Sequence, residues 1–315
     1  MNQTDFTILV KIYKPILKWI GGKTQIVDKI FESFPSEIES YHEIFLGGGS
    51  ILFNLLAYQE AGLITIKKNI YAYDANISLI YVYKNIQDNP MRLYKVIIKY
   101  INEYNSIEKQ SQKPLNVNRN PTNLAEALTS QESYYYWIRY KYNHLNNKKS
   151  FTNSAMFIFL NKTCFRGMYR VGPNGFNVPF GNYKNPSIIS KSHLLQIHNI
   201  IKNVIFTEGD FHNTMSNIQT GDFIYMDPPY APQEKTSFVG YNKDGFTLNN
   251  HMDLFKLCHN LKNNNIDFVM SNADVKLIRD NFSESHYLIE TIVCRRAINS
   301  KKPGSSANEV IIQPM

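Results

Sequence analysis

Four consecutive apolar residues, Phe223 to Met226, run straight into Asp227-Pro228-Pro229-Tyr230. A short apolar run without alternation marks a strand buried inside an α/β sheet rather than one that turns a face to water. Ligands of open α/β sheets bind at the carboxyl ends of their strands, which is where these four residues fall. The prolines hold the chain in an extended turn with its carbonyls exposed. Asp227 and the Pro228 carbonyl then offer acceptors, and Tyr230 offers a ring face. The same residues also read as a plain polar turn, because prolines with Asp are common in turns.

The rest of the chain supplies the sheet that such a strand needs. Residues 41–47 read as a strand, 47–49 as a glycine turn, 51–63 as an amphipathic helix and 69–75 as a second strand, together one βαβ unit. From about Ile200 onward, strand candidates follow at 203–210, 222–229, 267–274, 290–297 and 308–314, with a helix expected near 249–263. Residues 76–189 have another texture. They are helical and polar at first, loop-like at 108–123, and then rich in aromatic, glycine and basic residues. This pattern predicts an α/β domain split into 1–75 and 190–315 by an insertion at 76–189. Three successive small domains would leave the first βαβ unit too little sheet to bury.

Composition narrows the class without naming a partner. Lys and Arg number 34 against 26 Asp and Glu, a net charge of +8 that favours a polyanionic partner. Cys164, Cys258 and Cys294 are an odd count at wide spacing, with no C-x-x-C pair and no histidine cluster of the kind that binds zinc. They fit a reduced, intracellular chain. The first residues lack the small-residue cleavage site of a signal peptide. No stretch approaches the ~18 apolar residues of a membrane helix, so a soluble, cytoplasmic protein is expected.

Three further segments carry candidate chemistry. Phe45-Leu46-Gly47-Gly48-Gly49-Ser50 opens the first helix, and Asp74 closes the next strand. Glycines let backbone approach a ligand at a helix N-terminus, whose dipole suits a carboxylate, while an Asp at that place suits ribose hydroxyls. A nicotinamide or flavin fingerprint would want a third glycine at position 52, which is Leu52. A plain tight turn is the competing reading. Lys18-Trp19-Ile20-Gly21-Gly22-Lys23-Thr24 ends like a phosphate loop, but the first glycine of such a loop would fall at Leu17. An exposed Trp and two Lys around paired glycines suit a loop that closes over a ligand, or a simple turn leading into a helix. Residues 161–186 interleave Lys162, Arg166, Arg170 and Lys184 with Phe165, Tyr169, Phe176, Phe180 and Tyr183. Basic groups of this kind hold phosphates or read guanine, and aromatics wedge or stack on bases; an ordinary surface loop would look similar.

Taken together and in this order, the four segments resemble the Dam-type DNA adenine-N6 methyltransferases over roughly Pro15 to the C-terminus. In that family the cofactor motifs come first, a target-recognition region follows, and D-P-P-Y comes last. The resemblance implies a Rossmann-like seven-stranded methyltransferase sheet with an inserted, mostly helical target-recognition domain. On this likeness 1–75 and 190–315 form the catalytic part and 76–189 the target-recognition part. It also implies S-adenosyl-L-methionine as cofactor, double-stranded DNA as partner with GATC as target, base flipping, and no metal. A monomer is expected, with a dimer left open.

Catalysis falls to Asp227, Pro228, Pro229 and Tyr230. An amino group whose lone pair is delocalised into a ring, such as adenine N6, needs acceptors for its hydrogens more than it needs a strong base. Trp19, Lys23, Phe45, Gly47, Gly49, Asp74 and Asp227 are the expected cofactor contacts. Lys18, Phe165, Arg166, Met168, Arg170, Pro179 and Tyr183 are the expected DNA contacts. Two departures touch the target sequence: Arg166-Gly167-Met168 stands where the family usually has Asn-Gly-Leu, and Asn182 where a phosphate-binding Arg is common. An RNA or protein-amide methyltransferase, or a DNA-binding protein that has lost catalysis, are the rival readings.

Overall fold

The computed structural model describes residues 10–23, 25–107, 117–215, 218–232, 245–295 and 306–315. The apolar run at 223–226 forms a strand buried at all four positions, in the interior of a seven-stranded sheet. In chain order the strands are β1 (Tyr41–Glu43), β2 (Ile70–Asp74), β3 (Val204–Glu208), β4 (Phe223–Met226), β5 (Asp267–Ala273), β6 (Tyr287–Arg295) and β7 (Ser306–Pro314). They lie in the order β6-β7-β5-β4-β1-β2-β3. Strands β3 to β5 in that row pair in parallel, and β7 runs antiparallel to both of its neighbours. The chain starts in the middle at β1, moves outward through β2 and β3, and returns to β4 on the other side of β1. That reversal opens a crevice at the carboxyl ends of β1 and β4.

The helices are α1 (Val27–Phe31), α2 (Ser50–Glu60), α3 (Ile77–Asp88), α4 (Pro90–Ser106), α5 (Leu124–Ala127), α6 (Gln131–His144), α7 (Phe151–Thr163), α8 (Lys191–Ile200), α9 (Phe211–Thr214), α10 (Leu248–Asn263) and α11 (Lys276–Asn281). Their starts follow from the residues in place. Asn76, Asn89, Ser130, Ser150, Ser190 and Thr247 each accept a bond from a backbone N–H in the first turn of the helix that follows, a cap contributing typically ~1 kcal/mol.

Alternation along the strands divides the core in two. Phe223, Tyr225, Val269 and Ile311 face one side, with α1 to α4 and α6 to α8, whereas Ile224, Met226, Phe268, Met270, Val310 and Ile312 face α9, α10 and α11 on the other. The sequence reading of an α/β chain with a seven-stranded sheet holds. The expected strand at 41–47 is shorter as a ladder, but its backbone stays tied beyond β1: Ile44 N donates to the Tyr225 carbonyl and Leu46 N to that of Tyr73. A small parallel pair, Glu37–Ile38 with Thr65–Ile66, escaped the sequence reading, as did α1. The loop expected at 108–123 is irregular at 117–123, and residues 108–116 lie outside the described residues, as do Thr24 and residues 296–297 of the expected strand at 290–297.

Between β2 and β3, helix α3 lies on the sheet and carries the inserted helices behind it. Gln87 donates to the carbonyls of Ile201 and Val204 at 2.6 and 2.8 Å, which fixes the far end of α3 to the start of β3. Tyr83 stacks on Phe206 at 5.2 Å and donates to the Gly48 carbonyl at 2.8 Å, reaching the glycine turn from below. Replacing Tyr83 by Phe leaves that buried carbonyl without its donor. The expected cost is ~1–3 kcal/mol of unfolding free energy, read from the denaturation midpoint; an unchanged midpoint would mean that another donor has taken its place.

Candidate functional site

The strand β4 ends at Met226, and Asp227 is the first residue into the crevice. Lys23 arrives there from the N-terminal loop. Its Nζ donates to Asp227 Oδ2 and to the Gly21 carbonyl, both at 2.6 Å, and lies 4.9 Å from the centre of the Tyr230 ring. The sequence reading had Lys23 and Trp19 in an exposed loop, and the structure corrects it. Lys23 is 3% exposed because its side chain turns inward to a buried carboxylate. Trp19 is half-buried, stacked on Tyr169 at 5.7 Å. It covers the glycine turn so closely that a Cβ at Gly47 or Gly48 would sit 2.8 Å from its atoms. Burial raises the Asp227 carboxyl above its ordinary value, and the Lys23 ammonium opposes this only in part.

Beyond Pro228 and Pro229, the catalytic candidate Tyr230 is fastened at its far end. Its hydroxyl donates to Glu309 Oε2 at 2.7 Å, and the next backbone N–H, of Ala231, donates to Asn272 Oδ1 at 3.0 Å.

The glycine turn follows β1. Gly47 and Gly49 have φ of 49° and 73°, the left-handed region that glycine enters without strain, and Gly49, at the N-cap of α2, has no side chain to accept a bond there. Asp74 closes β2 beside it, accepting from the Gly47 N–H at 3.0 Å and the Asn76 N–H at 2.9 Å. Burial raises its carboxyl to about 6, while those two N–H groups hold it down. Phe45 faces Phe211 at 5.9 Å and Phe246 at 6.0 Å, so three aromatic rings gather on the far side of the turn.

The basic, aromatic stretch forms a surface joined to this crevice. The Asn161 side chain accepts from Lys18 N at 2.8 Å and donates to the Lys18 carbonyl at 2.7 Å and that of Gly167 at 3.3 Å. The N-terminal loop and residues 165–168 therefore lie side by side. Phe165 N donates to the Pro179 carbonyl at 2.8 Å and Gly181 N to that of Thr163 at 2.8 Å, which lays the two arms of the stretch together. Phe165 is 43% exposed, and Lys18, Arg166, Arg170 and Pro179 are exposed too. Arg166 holds φ at 55°, unusual for a residue with a Cβ, with its guanidinium 5.1 Å from the Phe165 ring. Lys18 Nζ lies 4.3 Å from the Tyr183 ring centre. Arg170 gives Nε and Nη2 to Asn177 at 2.7 and 3.3 Å. Tyr183 and Met168 are half-buried, and Met168 packs against the core. Burial, with Lys18 beside it, lowers the Lys162 ammonium to about 8.

Phe211, Phe246, Asn272 and Glu309 were missed from sequence. Only Phe211 carried a usable signal, since Gly209-Asp210-Phe211 is a turn at the carboxyl end of β3. Among the described residues no three His, Cys, Asp or Glu side chains gather as a metal site, no helix is long and apolar enough to cross a membrane, and the three cysteines are free buried thiols.

Comparison with known proteins follows the same lines. The family model of the D12 class N6 adenine-specific DNA methyltransferases matches residues 19–295. The chain is 34% identical over 298 residues to the type II methyltransferase M.MjaIII of Methanocaldococcus jannaschii, covering 91% of this chain and 93% of that one. It is 27% identical over 277 residues to the type II methyltransferase M1.LlaDCHI of Lactococcus lactis subsp. cremoris, covering 86% and 85%. It is also 27% identical over 293 residues to the DNA adenine methylase of Escherichia coli K12, covering 92% and 91%.

Independently of these likenesses, Glu43 at the end of β1 is a second buried carboxyl near Asp227. It accepts from the Tyr41 hydroxyl at 2.9 Å. Burial raises it to about 8, and the nearby Asp227 adds to this, against the Tyr41 hydroxyl and the Leu52 N–H. A carboxyl raised on folding contributes stability that is fully present below its ordinary value and lost as pH rises through the folded one. Glu43 therefore destabilises the fold progressively between about pH 4.5 and pH 8. Glu43→Gln should unfold at higher denaturant than wild type at pH 8, with the difference shrinking toward pH 5; a constant difference across that window would show that Glu43 is ionised in the fold.

Proposed function

Because the chain belongs to the D12 class of N6 adenine-specific DNA methyltransferases, we propose that the crevice at the carboxyl ends of β1, β2 and β4 methylates N6 of an adenine flipped out of duplex DNA, with S-adenosyl-L-methionine as the donor. Its enzymatic class, methyl transfer to DNA adenine, is that of the family. The residues that carry it here are the proposal, and one observation supports them above all: a half-buried Asp227 in contact with the Lys23 ammonium at 2.6 Å, itself against the ring of Tyr230.

The proposed cofactor suits the groups around the turn. The start of α2, whose N-cap Gly49 brings no side chain, favours a carboxylate. Asp74 can meet ribose hydroxyls, and Phe45, Phe211 and Phe246 offer faces to a flat purine. Trp19, Gly47, Gly49 and Lys23 complete the enclosure, and Asp227 faces a sulfonium with the opposite charge. When bound, S-adenosyl-L-methionine supplies the methyl group as a sulfonium electrophile.

The chain's own residues prepare the nucleophile. Asp227 Oδ1, with Oδ2 already given to Lys23, and the Pro228 carbonyl accept the two hydrogens of the adenine amino group. Holding those hydrogens orients the nitrogen lone pair toward the methyl. As the N–C bond forms the methyl's bond to sulfur would break, the sulfur leaving as a neutral thioether; nitrogen would become cationic and its surplus proton would pass to Asp227, whose affinity for a proton burial raises. Pro229 carries the turn on to Tyr230, whose ring stacks on the flipped base. Such stacking contributes ~1–3 kcal/mol, against the few kcal/mol that flipping costs.

Target reading we assign to the part at 76–189, with 1–75 and 190–315 serving methyl transfer; α3 is where the two share packing. Lys18 and Tyr183 meet the backbone, Phe165 wedges at the vacated position, and Arg166 and Arg170 read base edges from beside Pro179. Met168, turned inward, supports that loop from beneath. GATC is the proposed target. A net charge of +8 favours duplex DNA, one chain carries the whole residue set so a monomer suffices, and unpaired thiols fit the cytoplasm.

Incubating the protein with S-adenosyl-L-methionine and unmethylated genomic DNA, then sequencing for modified bases, should give N6-methyladenine confined to GATC. Methylated adenine in another motif would shift target reading to Arg166 and its neighbours, and the absence of any modified base would sink the proposal. Asp227→Ala should lower turnover by about 10²–10⁴-fold, the usual effect of losing a proton acceptor, with the protein still folded by circular dichroism. Retained activity within a few-fold of wild type would mean that another group accepts the proton.

A further inference from the structure

Tyr230 is the one part of the proposed base pocket whose usefulness depends on ring orientation, and its hold on that orientation comes from elsewhere in the chain. Stacking needs the ring to stand at one angle and depth, whereas a tyrosine at the end of a Pro-Pro turn has freedom in both side-chain torsions. Two strands remove that freedom. The hydroxyl donates to Glu309 Oε2 on β7 at 2.7 Å, a distance typical of a charge-assisted bond. The backbone immediately after the ring is held by Asn272 on β5, whose Oδ1 accepts both Ala231 N at 3.0 Å and Ala273 N at 2.9 Å.

The two anchors are neighbours by register. In the antiparallel pairing of β7 with β5, Glu309 stands opposite Ala273 and Val310 opposite Asn272. Strand β7, inserted between β5 and β6, thus brings a carboxylate to the corner beneath the Asp227–Tyr230 turn. Asn272 is fully buried, and the two N–H donors fix which end of its amide is oxygen. Its Nδ2 has no partner among the described residues, and the anchoring there is done through Oδ1.

We infer that Glu309 is a positioning residue for methyl transfer: through the Tyr230 hydroxyl it sets the ring against which the target adenine stacks, while Asn272 fixes the backbone that follows. The inference rests on the proposed function and goes further, since it assigns β7 a part in the reaction. Glu309 touches neither the methyl group nor the amino group; it acts through the ring.

The test compares Glu309→Ala, Glu309→Gln, Tyr230→Phe and the double variant Glu309→Ala with Tyr230→Phe, using labelled S-adenosyl-L-methionine and unmethylated genomic DNA. Melting temperatures are recorded for each. Glu309→Ala should lower kcat by about ten- to hundredfold, the size of one charge-assisted hydrogen bond, with KM for S-adenosyl-L-methionine unchanged. Tyr230→Phe should fall as far, and the double variant no further, because both changes remove one bond. Glu309→Gln, whose amide oxygen accepts the same hydrogen, should recover most of the rate. Additive losses, or a Gln variant as slow as the Ala variant, would overturn the inference in favour of a role for the charge. A fully active Glu309→Ala would overturn it outright. A wild-type protein that methylates no adenine would overturn the functional reading and this inference together.

Discussion

A buried ammonium and a half-buried carboxylate 2.6 Å apart, contributed by residues 204 positions apart in the chain, form the contact on which the rest of this site depends. Removing two charges from water costs several kcal/mol per ion, and mutual attraction offsets this only when the geometry is good and the remaining donors are satisfied. Here the Gly21 carbonyl takes a second Lys23 hydrogen. The pair therefore does more than neutralise Asp227. It draws the N-terminal loop into the crevice, and with the loop come Trp19 over the glycine turn and Lys18 against the inserted stretch. Asn161 locks that last contact through three hydrogen bonds. One loop is thus the joint between the crevice that would do chemistry and the surface that would read DNA, so a disturbance in either is felt in the other.

The fold was legible where local pattern and burial agree. The run Phe223 to Met226 read as a buried strand because a strand covered on both faces has no polar positions to spare, and the glycine turn read as a site because a left-handed backbone leaves few other residues possible. Where the sequence reading failed, partners lay far away in the chain. Lys23 looked exposed because lysine usually is, and only Asp227 explains its burial. Met168 sat among residues with basic and aromatic character, and nothing local says that its side chain turns the other way. Glu309 and Asn272 were invisible for the same reason: an acid and an amide on neighbouring strands acquire meaning only through the antiparallel register of β7. Phe246 joins Phe45 and Phe211 by tertiary packing alone.

The electrostatics of the crevice can be argued one step further. Asp227 and Glu43 are both carboxyls buried at the ends of adjacent parallel strands, and burial alone would protonate both. Their partners separate them. Glu43 has only neutral donors, a tyrosine hydroxyl and a backbone N–H, and lies near the negative Asp227, so it rises to about 8. Asp227 has an ammonium in direct contact, which opposes the same burial. Two neighbouring acids are thus treated differently by their surroundings, one facing an ammonium and the other only neutral donors. A neutral Glu43 also spares Asp227 a second negative charge at close range. The carboxyl groups of Asp227, Asp74 and Glu309 thus stand around the crevice with the Lys23 ammonium among them, an arrangement that suits a further cation. The proposed sulfonium donor would supply that charge, and in the same place a neutral adenine amino group would become cationic as it is methylated.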